Sequence, residues 1–174
     1  MTPRRALTTA GVAAVIIAFG VLAFASYGTV STSGSPKQRM LSWVQGTGLG
    51  QDLGTIHDDD LAVAAVVSGK QGTGAIHTTC GVLVADTATA TSNLPTPDSR
   101  ATELLDEAYV LEYRAGDDCY NAGAGGKRLL ARSAAERAAG SRLITEALQR
   151  IAAITGTVLP TTTTTSPGNS GIFG

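Results

Sequence analysis

The sequence predicts an all-α protein: a single N-terminal transmembrane or signal helix, then a small up-down antiparallel four-helix bundle with one disulfide. Three observations carry this. Residues 6–25 form an uncharged apolar run directly behind Arg4 and Arg5. Four later stretches repeat apolar residues at three- and four-residue steps, with glycine or proline turns between them. The only two cysteines, Cys80 and Cys119, fall on the apolar stripes of neighbouring stretches.

The first observation decides the compartment. A helix over 6–25, at about 1.5 Å per residue, spans roughly 30 Å, enough to cross the hydrocarbon core of a bilayer. Arginines before the run and none soon after it orient the N-terminus toward the cytoplasm. Residues 1–27 are therefore a signal anchor or a signal peptide. Length favours an anchor, because signal-peptide cores run to about 7–15 residues; Ala23-Phe24-Ala25 is nevertheless an A-x-A cleavage pattern. The expected location is the cell membrane, single-pass with an exported C-terminal domain, or the exterior if cleavage follows Ala25. Residues 28–36 form a Ser/Thr/Gly linker, residues 37–156 the exported bundle, and residues 157–174 a disordered Thr/Pro/Gly tail.

Charge excludes one class of partner. Thirteen basic residues oppose 14 acidic ones, and setting Arg4 and Arg5 aside leaves 11 against 14. A nucleic-acid binder would carry a clustered basic excess, so none is expected. Aromatic residues make up only 5% of the chain, so the core should be thin and need support beyond apolar burial.

The elements follow in order. Residues 37–44 place Met40, Leu41, Trp43 and Val44 in a short amphipathic piece; Trp43 suits either a membrane-proximal anchor or a plug closing one end of the core. Over 49–68, Leu49, Leu53, Ile56, Asp60, Val63 or Ala64, and Val67 share one stripe. Residues 73–92 set Ile76, Cys80, Leu83 and Thr87 on one face, although the valines and threonines also suit a strand. Pro95 and Pro97 force an extended connection, and Asp98 or Ser99 can cap the next helix. There Leu105, Ala108, Leu111 or Glu112, Ala115 and Cys119 line up. The last helix, about 127–154, is expected to turn Leu130, Ala134, Ala138, Ser141, Ile144, Leu148, Ile151 and Ile154 inward before Gly156 stops it. Acidic residues of the first long helix (Asp52, Asp58, Asp59, Asp60) and basic residues of the last, such as Arg132 and Arg137, are expected to face each other.

An oxidising compartment favours a Cys80–Cys119 disulfide over a reactive or metal-binding thiol pair assisted by His77. In a symmetric hairpin the two would miss by nine residues, roughly 13 Å. The bond therefore requires the helix carrying Cys119 to begin well beyond the end of the helix carrying Cys80.

No constellation forces a reaction. His57 beside Asp58-Asp59-Asp60 reads as a solvated acidic turn, no Glu-x-x-His pair exists for a bundle metal site, and Asp117 to Asn121 lacks a calcium loop. The two Gln-Gly-Thr-Gly copies, ending at Gly48 and Gly74, read as helix starts with Thr47 or Thr73 as caps. Leu159-Pro160-Thr161-Thr162 lacks the glycine of a sortase signal. No catalytic residue, metal or cofactor is expected. The function expected is that of an exported, membrane-anchored bacterial envelope protein, a protein-binding or assembly module without catalysis. Its alternative is a small-ligand carrier or enzyme with an unrecognised site.

Overall fold

The computed structural model describes residues 33–157; the expected membrane run at 6–25 and the tail beyond 157 lie outside them. Among the described residues every regular element is a helix, and none is long and apolar enough to cross a membrane. Five helices occur: α1 Pro36–Thr47, α2 Leu49–Ser68, α3 Thr73–Thr91, α4 Ser99–Ala122 and α5 Lys127–Thr155. The short amphipathic piece expected around Trp43 is thus a full helix in its own right.

Local chemistry sets the ends. Ser35 accepts from the Gln38 backbone N–H while the Gln38 side chain accepts from Ser35 N–H, a capping box with Pro36 at the first helical position. Gly48, at φ +69°, closes α1 and opens α2 in one left-handed step that glycine takes without strain. Asp98 caps α4 by accepting from Ala101 N–H at 2.9 Å. Thr47 and Thr73 cap nothing. Gly48 and Gly72 hold the capping positions; Thr47 Oγ1 donates to the Trp43 carbonyl and Thr73 Oγ1 accepts from Ala124 N–H.

The strand-like composition of α3 is reconciled with a helix by its threonines. Thr78, Thr89 and Thr91 each donate a hydroxyl hydrogen to the carbonyl four residues earlier, so their polar groups are satisfied inside the helix.

Successive long helices run antiparallel, as their cross-contacts show. Asn93 meets Asp52 between α3's end and α2's start, Gly116 meets Val84, and Asp98 and Asp118 meet Arg150 and Arg132 at opposite ends of α4 and α5. Helix α4 packs most extensively on α5 and then α3, while α2 packs chiefly on α3 and α1 lies against α5. Two poles result. At one, α1, residues 92–98 and the end of α5 gather; at the other lie the turns 69–72 and 123–126.

Cys80 and Cys119 are joined by a disulfide with Cα atoms 5.8 Å apart. The register this demands is met as required: α4 starts several turns beyond the end of α3, with residues 92–98 bridging the offset. The overhanging first turns bury Ala101, Leu104 and Leu105, and α1 supplies Met40 and Trp43 to the same core beside Leu148 and Ile151. The Trp43 ring is buried, and its Nε1 donates to the Asn93 carbonyl at 3.2 Å. Close approach of α3 and α4 relies on small residues: a Cβ at Gly116 would stand 2.7 Å from Val84 Cγ2.

The stripe of α5 differs from expectation in its first half. Ser133, Gly140 and Ala147 are buried, while Ala134, Ala138 and Ser141 are exposed. Alanine is a weak marker of direction, and here the inward positions carry polar or minimal side chains because of what they face.

Candidate functional site

Midway along the bundle the interior turns polar. Helix α2 contributes Asp60, α3 Thr87, α4 Glu112, and α5 Arg137 and Gly140. The sequence places Asp60 and Glu112 on inward stripes for an apolar reason alone: they stand where the period calls for a core residue. Glu112 is fully buried, and among the described residues neither of its carboxyl oxygens, nor Thr87 Oγ1, nor Asp60 Oδ1, has a hydrogen-bond partner. Gly140 is the reason Glu112 fits. A Cβ at position 140 would collide with Glu112 Oε1, so α5 must present bare backbone there.

Arg137 is the cation of this layer. Its Nη1 donates to the Asp60 carbonyl at 3.0 Å and lies 3.8 Å from Asp60 Oδ1, and both side chains are mostly buried. Among the described residues this is the one ion pair between the acidic face of α2 and the basic face of α5; Arg132 and Arg150 engage elsewhere. Arg132 forms a bidentate pair with Asp118, and Arg150 pairs with Asp98 at 2.7 Å.

Three pairs of acids lie against one another: Asp60 with Glu112, Asp59 with Asp86, and Asp118 with Glu136. Two ionised carboxylates offer acceptors only, which is why their oxygens stand unpartnered unless a proton is present. Burial, then Asp60's charge, pushes Glu112 well above the usual carboxylate range; burial raises Asp60 against the pull of Arg137. Burial and then Asp86 raise Asp59. Asp118 and Asp98, by contrast, are held low by hydrogen bonds from Arg132 and Arg150. Sequence reasoning missed these pairs. The signal available was two acids on apolar stripes of helices whose antiparallel register brings them level.

The histidines sit apart. His77 stacks on Tyr120 with ring centroids 4.5 Å apart, and His57 lies half-buried one turn before Asp60. Among the described residues no three His, Cys, Asp or Glu side chains come together as a metal site.

A second feature is on the outside. Val110, Tyr113 and Tyr120 project from one face of α4, each between 41% and 46% exposed. Tyr120 leans across α3, its ring 3.9 Å from where a Cβ of Gly81 would stand. Asp106 and Asp117, exposed four residues from Val110 and Tyr113, lie within the same stripe, and Arg114 is exposed beside it.

The fold and these two features define a disulfide-linked helical bundle with an acid-bearing interior and one tyrosine-bearing face. No family model matches the chain, and no curated protein or solved structure is significantly similar to it.

Proposed function

We propose that this is an exported, membrane-anchored envelope protein that works as a protein-binding or assembly module, docking a partner on the α3/α4 face. The observation that carries the reading is the tyrosine stripe. Tyrosine offers a large, rigid contact area together with a hydroxyl, and it is enriched where proteins meet. Three large side chains exposed on one face of α4, two of them tyrosines in a chain with few aromatics, concentrate that capacity in one place. The two aspartates within the stripe suit a partner that presents basic groups to it.

Export is supported by the apolar run at 6–25 behind two arginines and by the disulfide, a bond that persists in oxidising compartments. The protein is then a single-pass membrane protein, or a secreted one if processed after Ala25, and its up-down bundle lies outside the cytoplasm. A periplasmic-type reporter fused after residue 174 should be active; activity of a cytoplasm-only reporter at the same position defeats the export reading.

Photo-cross-linking in the native host tests docking. A photoreactive residue at Tyr113 should give a discrete adduct that one placed at Ala131, exposed on α5, does not give. Equal adducts at both positions, or none at Tyr113, remove the case for this face. The alternative role, a small-ligand carrier or enzyme, would have to use the acid layer. Glu112 is enclosed on every side, so a ligand reaches it only if the helices part. Native mass spectrometry showing a bound small molecule lost in Glu112→Gln would favour that alternative.

A further inference from the structure

The interior layer holds two acids for one cation. Around Glu112, helix α2 presents Asp60 with Asp59 and His57 nearby, α3 presents Asp86 and Thr87, and α5 presents Arg137 with Glu136 beside it. On α4 itself the nearest buried phenol is Tyr109. Arg137 is already engaged by the Asp60 backbone and side chain. With Asp60 and Glu112 both ionised, the trio carries one net negative charge inside the protein, and Glu112 has no donor. A single proton held between the two carboxyls neutralises the layer and supplies the missing hydrogen bond.

We propose that Asp60 and Glu112 form a proton-operated latch that ties α2 to α4 across the bundle and loosens the helices at this level when the proton leaves. The geometry leaves the latch no slack. Glu112 lies directly on the α5 backbone at Gly140, so repulsion from Asp60 cannot be relieved by moving toward α5 and must act on the helices instead. The raised affinity of both acids for protons agrees with this, Glu112 being pushed up to about 9 and Asp60 to about 6.

The sign follows. The opened or unfolded chain releases the proton above the ordinary carboxyl range, whereas the closed bundle keeps it, so the closed state is favoured in mild acid and weakens as pH rises. Asp59, also raised, acts in the same direction. Asp98 and Asp118 act in the opposite one, but only below the ordinary carboxyl range, so they do not mask the effect near neutrality.

Amide hydrogen exchange on the full-length protein between pH 6 and 8, corrected for intrinsic exchange rates, tests the latch. One linked proton changes an opening constant about tenfold per pH unit, and amides of 108–116 should approach that slope. Glu112→Gln, neutral at every pH, should flatten it; Asp86→Asn should leave it in place. A slope near zero in the unmodified protein overturns the proposal, as does a full slope in Glu112→Gln or a slope lost in Asp86→Asn. Should Glu112→Gln fail to fold, carbon-13 NMR of the unmodified protein decides. A Glu112 carboxyl still protonated at pH 7 supports the latch, and one ionised below pH 6 sinks it.

Discussion

The two halves of this bundle are held by different physics. At the pole where α1 docks, the core is a continuous cluster of large apolar side chains: Met40, Trp43, Leu49, Leu53, Leu104, Leu105, Leu148 and Ile151. From mid-bundle to the opposite turns, the inward positions become Thr87, Glu112, Asp118 and Ser133, and the large apolar residues thin to a few. There a disulfide and arginine–carboxylate pairs stand in for burial. A chain with so few aromatics and so many small residues fills one end well and staples the other.

Mutations at the two ends should separate these mechanisms. The largest loss is expected at the apolar pole, where Trp43→Ala removes a buried indole and its bond to Asn93; truncation of a buried tryptophan costs about 3–5 kcal/mol. Urea denaturation would read this as a lower midpoint with an unchanged slope. A loss under 1 kcal/mol would mean that α1 is an attachment, not part of the core.

Next is the staple. A 39-residue separation between Cys80 and Cys119 puts its contribution at roughly 4 kcal/mol at most in the chain-entropy picture, less any native strain. Unfolding measured with and without reductant should differ by about that amount. Indifference to reductant would place the stability of this half elsewhere.

A smaller effect, about 1–3 kcal/mol, is expected for Gly140→Ala, whose new methyl meets Glu112. Combining it with Glu112→Ala should recover most of that loss, because the clash disappears with its partner. Strict additivity in this double-mutant cycle would contradict the contact.

The smallest is Asp98→Ala at the start of α4, about 1 kcal/mol for a lost cap. Asp98 is held low by Arg150, so its contribution is present above the ordinary carboxyl range and fades as pH falls through its depressed value. Asp98→Ala should therefore lose its effect in strong acid. The cap fails on acidification, whereas the Asp60–Glu112 latch closes on it, so the two sites are expected to respond to pH with opposite sign.

The apolar pole was legible in the sequence and the polar half was not. Helices α2 to α5 follow closely from their apolar periods and from Gly72, Asp98 and Gly156 at their ends. The α3–α4 offset follows from requiring Cys80 and Cys119 to meet. In α5, periodicity points to Ala134, Ala138 and Ser141, because a hydrophobic scale cannot rank Gly140 or Ser133 as inward. Gly140 is required by Glu112 opposite it, a tertiary requirement that no single helix displays. The same blindness hides the acid pairs: an aspartate or glutamate on an apolar stripe reads as a break in the pattern until the facing helix is known. The tyrosine face is equally silent, since Tyr120 comes to lie over His77 and Gly81 only once α3 and α4 are packed.

The α1–α5 contact has one more consequence. Lys37 Nζ comes within 3.6 Å of where a Cβ would sit on Gly156, so the entry and exit points of the folded unit are side by side. Lys37, in the first turn of α1, and Gly156, closing α5, thus lie at the same pole. A permuted chain joined there by a brief glycine bridge and reopened at residues 124–125 should keep the same interior, and pulling on either end would load the well-filled pole first.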